Sequence, residues 1–340
     1  MKKIIFTLGL GLLILDGSAQ VVSSTNIFIS DGALVSFGTD VVNNGDLTNN
    51  GKMHLKGDLK NNAKLVSKGQ VVVDGNSPQT FGGTQAIEFS NVSIHNDVNF
   101  QNIVRIDNKL ILNNGIVNAI SPIEMSENST QSGASDFSHV TGKMRKNGNT
   151  SFNFPLGDGM SLKSFEAVNS KGGTIEAEYV SRNPMDVSSN LDYNIEEINQ
   201  TEYWSLKSSN SNGVDVSLGN NNELTYLKDG VWVKETNRLR DASSPTLFTS
   251  GKGKNLVKEI GIWPNPTQGE FNLKLIGMRD TDKITVDITN QDGRVIMKMN
   301  GVVKDLRKAY TLPQGLVTTN LTVRVINGAE AMTQNLILNK

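Results

Sequence analysis

Between residues 45 and 76 small, apolar and polar positions recur on a six-residue beat. Gly45, Gly51, Gly57, Ala63, Gly69 and Gly75 follow one another six residues apart. Leu47, Met53, Leu59, Leu65 and Val71 each stand two positions after a beat, and Asn, Lys and Asp fill most places between. A turn every six residues leaves strands of three or four, poor partners for hairpins but suited to stacking as rungs of a parallel solenoid. Three hexads would close one coil of 18 residues. A meander of hairpins turning at Asn49-Asn50-Gly51 and Asn61-Asn62-Ala63 is the rival arrangement; the unbroken period favours the solenoid. Glycine, alanine and asparagine suit the corners, where permissive or left-handed backbone is needed. The intervening Asn and Lys are expected in water.

The beat has edges. Gly32 and Gly38 are also six apart, but the step from Gly38 to Gly45 is seven, which marks an insertion. After Gly75 the spacing loosens, yet Val92 and Ile94, Val98 and Phe100, Val104 and Ile106, and Leu110 and Leu112 carry rungs to about Ala119. Solenoid repeats are therefore expected over residues 20–120. Ser121 to Asp136 is polar and aperiodic, as in a boundary or a cap loop. Beyond it, residues 136–242 contain short alternating segments broken by Asn-Gly and Asp-Gly turns, among them 175–180, 202–206, 214–218, 223–227 and 231–235. That spacing predicts an antiparallel β-sandwich. Residues 243–258, rich in Ser, Thr, Lys and Gly, read as a linker. Residues 259–340 resume alternation at 284–289, 294–299, 321–326 and 332–338, with turns at Asn290 to Gly293 and at Asn327-Gly328, and predict a second small sandwich. The fold class is all-β: a solenoid, a middle sandwich and a C-terminal sandwich.

Composition adds limits. Hydrophobic residues make up 37% and aromatics 6% of the 340 residues, the formal net charge is -1, and no cysteine is present. Near-neutrality without basic blocks argues against nucleic acid as a partner. Without cysteine there is no disulfide, thiolate metal site or cysteine nucleophile, and no cysteine to lipidate at a cleavage point. Lys2 and Lys3, the apolar run Ile4 to Leu15, and the small residues Gly17, Ser18 and Ala19 predict a signal peptide over 1–19 with cleavage between Ala19 and Gln20. Twelve apolar residues fall short of the ~20 that span a bilayer as a helix.

No reacting constellation stands out, so no catalytic, metal or cofactor site is assigned and the chain is read as non-enzymatic. Asp46 and Asp58 hold equivalent places in their rows but are 12 residues apart, on different faces of an 18-residue coil. Asp40 and Asp58 are 18 apart, with the insertion before Gly45 expected to disturb their register. His54, His95 and His139 lack any zinc or triad spacing and are read as surface or strand residues. Tyr203, Trp204, Tyr226 and Trp232 are read as sandwich core, with a sugar-stacking patch as the alternative.

Three stretches resemble known proteins. Residues 89–119, with asparagine-rich short strands, resemble repeat regions of exported proteins of Bacteroidetes-type bacteria. Phe152 to Asp158 with Glu202 to Leu206 resembles a module of surface proteins from the same bacteria. More specific is the C-terminal set: Pro264, Asn265, Pro266, Thr267, Gly269 and Phe271 in PNPTQGEFNL, Gly293 in ITNQDGRVI, Gly315 in YTLPQGL, and Gly328 before an ending in Lys340. Together these resemble the type A C-terminal sorting domain of the type IX secretion system. Where that family usually places an aromatic after the glycine of its LPxG motif, this chain has Val317-Thr318-Thr319-Asn320. The resemblance implies an Ig-like sandwich and passage through the periplasm. It further implies recognition by the outer-membrane translocon and its sortase, and release from the cell or linkage to surface lipopolysaccharide. The expectation is a secreted or cell-surface structural or adhesive protein, touching glycans or matrix. The alternative is a carbohydrate-active β-helix enzyme, a lyase or hydrolase, or a glycan-binding protein.

Overall fold

The computed structural model describes residues 19–339 apart from 169–171, 210–212, 220–222, 235–237, 240–244, 255–257, 318 and 329. The expected signal segment up to residue 18, and Lys340, lie outside the described residues. The chain forms two compact units that divide between Lys252 and Gly253.

In the first unit the six-residue beat becomes a parallel β-solenoid with three faces. Val35 lies beside Met53 and Met53 beside Val71; Val41 lies beside Leu59, and Leu47 beside Leu65. Each of these steps is 18 residues, one coil of three hexads. Leu47–Asn49 and Lys52–Leu55 thus belong to adjoining faces rather than to a hairpin, because only stacking buries Leu47, Met53, Leu59, Leu65 and Val71 in one core, each at most 2% exposed. Later coils are less regular, with Leu59 beside Phe81 and Val117 beside Val140.

Two details of the corners differ from expectation. Gly45, Gly51, Gly57 and Gly69 do not take left-handed backbone; what requires glycine there is the coil beneath. A Cβ on Gly69 would sit 1.9 Å from the Gly51 carbonyl oxygen, and one on Gly45 would sit 2.3 Å from that of Thr25. The asparagines are not all solvated either. Asn43, Asn49 and Asn61 are fully buried. Asn43 Nδ2 donates to Asn61 Oδ1 at 2.8 Å, Asn61 Nδ2 to the Ala86 carbonyl at 2.9 Å, and Asn49 Nδ2 to Ser67 Oγ at 2.8 Å. A buried amide is tolerated only when such partners are supplied. Here the next coil accepts the N–H groups of all three amides, while Asn43 Oδ1 is left without a partner among the described residues.

The solenoid also runs past residue 120. Val117–Met125 and Thr130–Ser132 form a further coil in the stretch expected to be a loop, and Val140–Asn147 stacks in parallel on Val117–Met125. Ile123 and Met125, both fully buried, are the inward positions that polar neighbours disguise. Val140–Asn147 then pairs antiparallel along its other edge with Thr174–Val180, so the last rung of the solenoid is also the first strand of the middle sandwich. One hydrophobic core extends from Ile29 through to Phe248. Lys146 sits at this junction, where its ammonium donates to the carbonyls of Ser126, Glu127 and Asn147 at 2.9, 2.6 and 2.6 Å, and burial pushes its pKa down.

The sandwich faces the sheet of Thr174–Val180, Tyr203–Ser208, Thr246–Gly253, Glu223–Lys228 and Val231–Val233 against Ser151–Phe154, Phe165–Val168, Val214–Leu218 and Arg238–Leu239. Thr246–Gly253 corrects the linker expectation over 243–258. It lies between Tyr203–Ser208 and Glu223–Lys228, with Phe248 and Thr249 fully buried. Its Thr, Ser, Gly and Lys content suggested a linker, but Phe248 stacks on Trp204 with ring centroids 5.6 Å apart.

The second unit is a sandwich of two antiparallel sheets. One holds Glu259–Trp263, Glu270–Ile276 and Ala309–Thr311; the other holds Val295–Val302, Lys283–Thr289, Asn320–Asn327 and Glu330–Ile337 in that order. Strict alternation in Glu270–Ile276 and Lys283–Thr289 turns Phe271, Leu273, Leu275, Ile284, Val286 and Ile288 into a separate core.

Candidate functional site

Two of the residues singled out in the C-terminal motif, Asn265 and Thr267, converge on one structural task. After the strand Glu259–Trp263 the chain enters Pro264 to Gly269 and meets the far end of the last strand. Asn265 Nδ2 donates to the Asn335 carbonyl at 2.7 Å, and its Oδ1 accepts the Ile337 N–H at 2.9 Å. Thr267 N–H donates to the Ile337 carbonyl at 2.8 Å, and the Thr267 carbonyl accepts the Asn339 N–H at 2.7 Å. The Thr267 hydroxyl, on a side chain 1% exposed, donates to the Glu270 carbonyl and accepts the Gly269 N–H. An amide and a threonine thus clasp the two ends of the unit, which are about 70 residues apart in sequence.

The remaining motif residues shape the unit around that clasp. Gly269 has a φ of 126°, a conformation closed to side chains, where the chain turns into the strand Glu270–Ile276. Phe271 fills the core against Tyr310, with ring centroids 5.6 Å apart. Burial pushes the Tyr310 phenol up, and its hydroxyl donates to the Leu306 carbonyl at 2.8 Å. Gly293, Gly315 and Gly328 occupy left-handed turn positions with open space around them. They shape their turns and do not meet one another in a pocket. Asn335, Ile337 and Asn339 were not singled out from sequence, because they contribute backbone groups that any residue would carry. Trp263 and Val317, in contrast, are 72% and 86% exposed. At the other predicted processing point, Gln20 is the first residue of the first rung and lies beside Asp40.

The solenoid corners bring together residues that sequence kept apart. Asp40 and Asp58 do stack, since Val41 stays in register with Leu59 despite the insertion. Their carboxylates serve the backbone: Asp40 Oδ1 accepts the Asp58 N–H at 2.9 Å, and Asp58 Oδ1 accepts the Thr80 N–H at 2.7 Å. Asp97 repeats the contact with the Ile116 N–H at 2.7 Å. Each acid caps the coil that follows it.

The histidines are equally engaged. His54 Nδ1 lies 2.8 Å from Asp74 Oδ2, with Lys56 Nζ 3.6 Å from the same oxygen. His95 Nε2 lies 3.1 Å from Asn113 Nδ2 and 3.3 Å from Ser93 Oγ. His139 is fully buried, contrary to its reading as a surface or strand residue. Its Nε2 accepts the Gly159 N–H at 3.0 Å, which leaves Nδ1 to donate to the Ser135 carbonyl at 3.0 Å. It ties the last coil to the turn after Phe152 to Asp158. In that turn burial pushes the Asp158 carboxyl up, but the N–H groups of Met160 and Ser161 and the Lys163 ammonium outweigh it and hold the group below the usual carboxylate range. Tyr203, Trp204, Tyr226 and Trp232 are all buried, so they form core and offer no sugar-stacking platform.

On the surface, the register lines up alternating charges across five strands. Glu88 lies beside Arg105, Arg105 beside Glu124, Glu124 beside Arg145 and Arg145 beside Glu176. Contacts along this row run from 2.6 to 3.5 Å. It crosses from parallel to antiparallel pairing without a break.

Residues 261–338 match the family model described as a secretion system C-terminal sorting domain. No curated protein matches the chain. Among solved structures, a Faecalibacterium prausnitzii Beta-glucuronidase is similar at 9% identity, over 58% of this chain and 46% of that one, with a TM-score of 0.19. The chain therefore spans under half of that protein's length, and so slight a likeness carries no argument about fold or activity.

Proposed function

We propose, from the premise that residues 261–338 are a type IX sorting tail and that the chain is exported by that route, that the protein is a non-catalytic structural or adhesive component of the cell surface or its surroundings. The family match carries the export half of this reading, and with it an interaction with the type IX secretion machinery. The adhesive half is supported by how the solenoid spends its polar groups. Asp40, Asp58 and Asp97 cap backbone N–H groups, the asparagines bond from coil to coil, and the surface charges pair in a row. A rigid rod with a regular polar surface suits a spacer or a contact face for glycan or matrix. The tail would meet the translocon and its sortase, and lipopolysaccharide is the attachment expected if the product is retained.

Deletion of residues 256–340 in the native host tests the export reading. The truncated protein should accumulate in the periplasm and vanish from the surface and the medium. Its continued appearance outside the cell would refute the assignment.

A further inference from the structure

The second unit has a flat outer face with one large aromatic on it. Alternation turns Phe271, Leu273 and Leu275 inward and leaves Glu270, Asn272 and Lys274 exposed on the outside of the sheet of Glu259–Trp263, Glu270–Ile276 and Ala309–Thr311. Register sets Trp263 beside Asn272, Asn272 beside Ala309, and Gly261 beside Lys274. Residues this small or polar leave the indole uncovered. Trp263 is 72% exposed, whereas the other two tryptophans, Trp204 and Trp232, are 5% and 0% exposed. The Lys274 stem lies over Gly261, where an added Cβ would meet its Cβ at 3.3 Å and its Cδ at 3.9 Å.

The polar groups of this face are not spent within the fold. Among the described residues the Lys274 ammonium and the Glu270 carboxylate enter no ion pair or hydrogen bond, and the Asn272 amide makes one long bond, 3.4 Å from Nδ2 to the Trp263 carbonyl. On the solenoid the corner carboxylates of Asp40, Asp58 and Asp97 are all engaged by backbone N–H groups. Here a donor, an acceptor and an amide stand free on the strand beside an indole.

We infer that this face binds a neutral glycan, with one sugar ring stacked on Trp263 and its hydroxyls on Asn272, Lys274 and Glu270. A sugar presents an apolar ring face and hydroxyls that both donate and accept, which an indole platform and this mixed set of groups match. The strands hold five, seven and three residues; at about 4.8 Å between strands and about 3.4 Å per residue the face spans about 250 Å². A standard protein interface takes about 800 Å² from each partner, so the face is too small for one. Lipid is a poor occupant, because Trp263 stands among Glu270, Asn272, Lys274 and Thr311, which are polar and exposed. The inference goes beyond the adhesive reading, which concerns the rod, and does not depend on it.

The test uses the chain from Gln20 to Lys340, in which iodide quenching of fluorescence reads Trp263 because Trp204 and Trp232 are buried. Maltohexaose, cellohexaose, xylohexaose, mannohexaose and chitohexaose are each titrated in, and at least one should shield Trp263 saturably. Calorimetry with that sugar should show Trp263→Ala weakening binding about 10-fold or more. Lys274→Met keeps the stem over Gly261 and removes the donor, and should weaken binding about 3-fold. Both residues are exposed, and an unchanged circular dichroism spectrum shows that each variant is folded. No shielding by any of the five sugars, or binding indifferent to both substitutions, would overturn the inference. So would shielding of Trp263 by phosphatidylethanolamine vesicles and by none of the sugars, which would assign the face to lipid.

Discussion

In the solenoid a strand finds its partner 17 to 23 residues away, from Ile87 beside Val104 to Val117 beside Val140. In the C-terminal unit the decisive contact, Asn265 with Ile337, spans 72 residues. Both regions must hold short strands together without a disulfide, since the chain has no cysteine. The solenoid does so by repetition, with each coil satisfying the polar groups of its neighbour. The tail does so by closure, with one motif gripping the final strand. Stability in the first is expected to add up coil by coil. In the second it should be all-or-none. The same residue types therefore carry different meanings in the two regions.

Glycine gives the sharpest contrast. Gly69→Ala forces a Cβ to within 1.9 Å of the Gly51 carbonyl, which backbone must yield to, and is expected to cost the first unit about 3 kcal/mol or more. Gly293→Ala meets open space and pays only for left-handed backbone, about 1 kcal/mol. Asparagine, which tolerates that conformation, should recover much of the loss at 293 and none at 69. Denaturant unfolding of both pairs measures this, and equal costs at the two sites would erase the distinction.

Buried amides come next. Asn61→Leu leaves the Asn43 amide with only its long bond to the Lys64 carbonyl, takes the amide donor from the Ala86 carbonyl, and should destabilise by about 1 to 3 kcal/mol. Thr267→Val removes a buried hydroxyl that accepts one bond and donates another, a loss of similar type but about 1 to 2 kcal/mol. The two should separate by location: the first lowers the melting of the solenoid unit alone, the second that of the tail alone, as read by hydrogen exchange. A shared drop in both units would mean that they do not unfold separately.

The smallest effect is a pH dependence confined to the first unit. Asp158 is held below its unfolded value, so its stabilisation is present above about pH 4 and is lost as acid protonates it in the folded state. Asp158→Asn should therefore be less stable than the parent at neutral pH, with the gap closing as the pH falls below about 4. A gap independent of pH would show that the carboxylate charge plays no part.

Legibility in the sequence followed the same divide. Period exposed the solenoid because stacked coils repeat their inward positions, and it faded where Ile123 and Met125 hid among Ser, Pro and Glu. The burial of Asn43, Asn49 and Asn61 was not legible. A corner asparagine looks the same whether water or the next coil receives its amide. The double role of Val140–Asn147 was hidden for a related reason, since alternation does not say whether a strand's neighbours run parallel or antiparallel. In the tail, the motif residues could be named from sequence, but the backbone they grip could not.

The clasp also bears on the order in which the protein is made. Pro264 to Gly269 is synthesised well before Asn335 to Asn339, so the tail cannot close until nearly its entire length has been translated. A chain cut short of Asn335 would lack Leu336, which is buried in the same core as Phe271 and Leu273, and the end of the strand that pairs with Asn320–Asn327. Placing the export address in a fold that Asn335 to Asn339 complete makes the address double as proof that the chain has been made past that point.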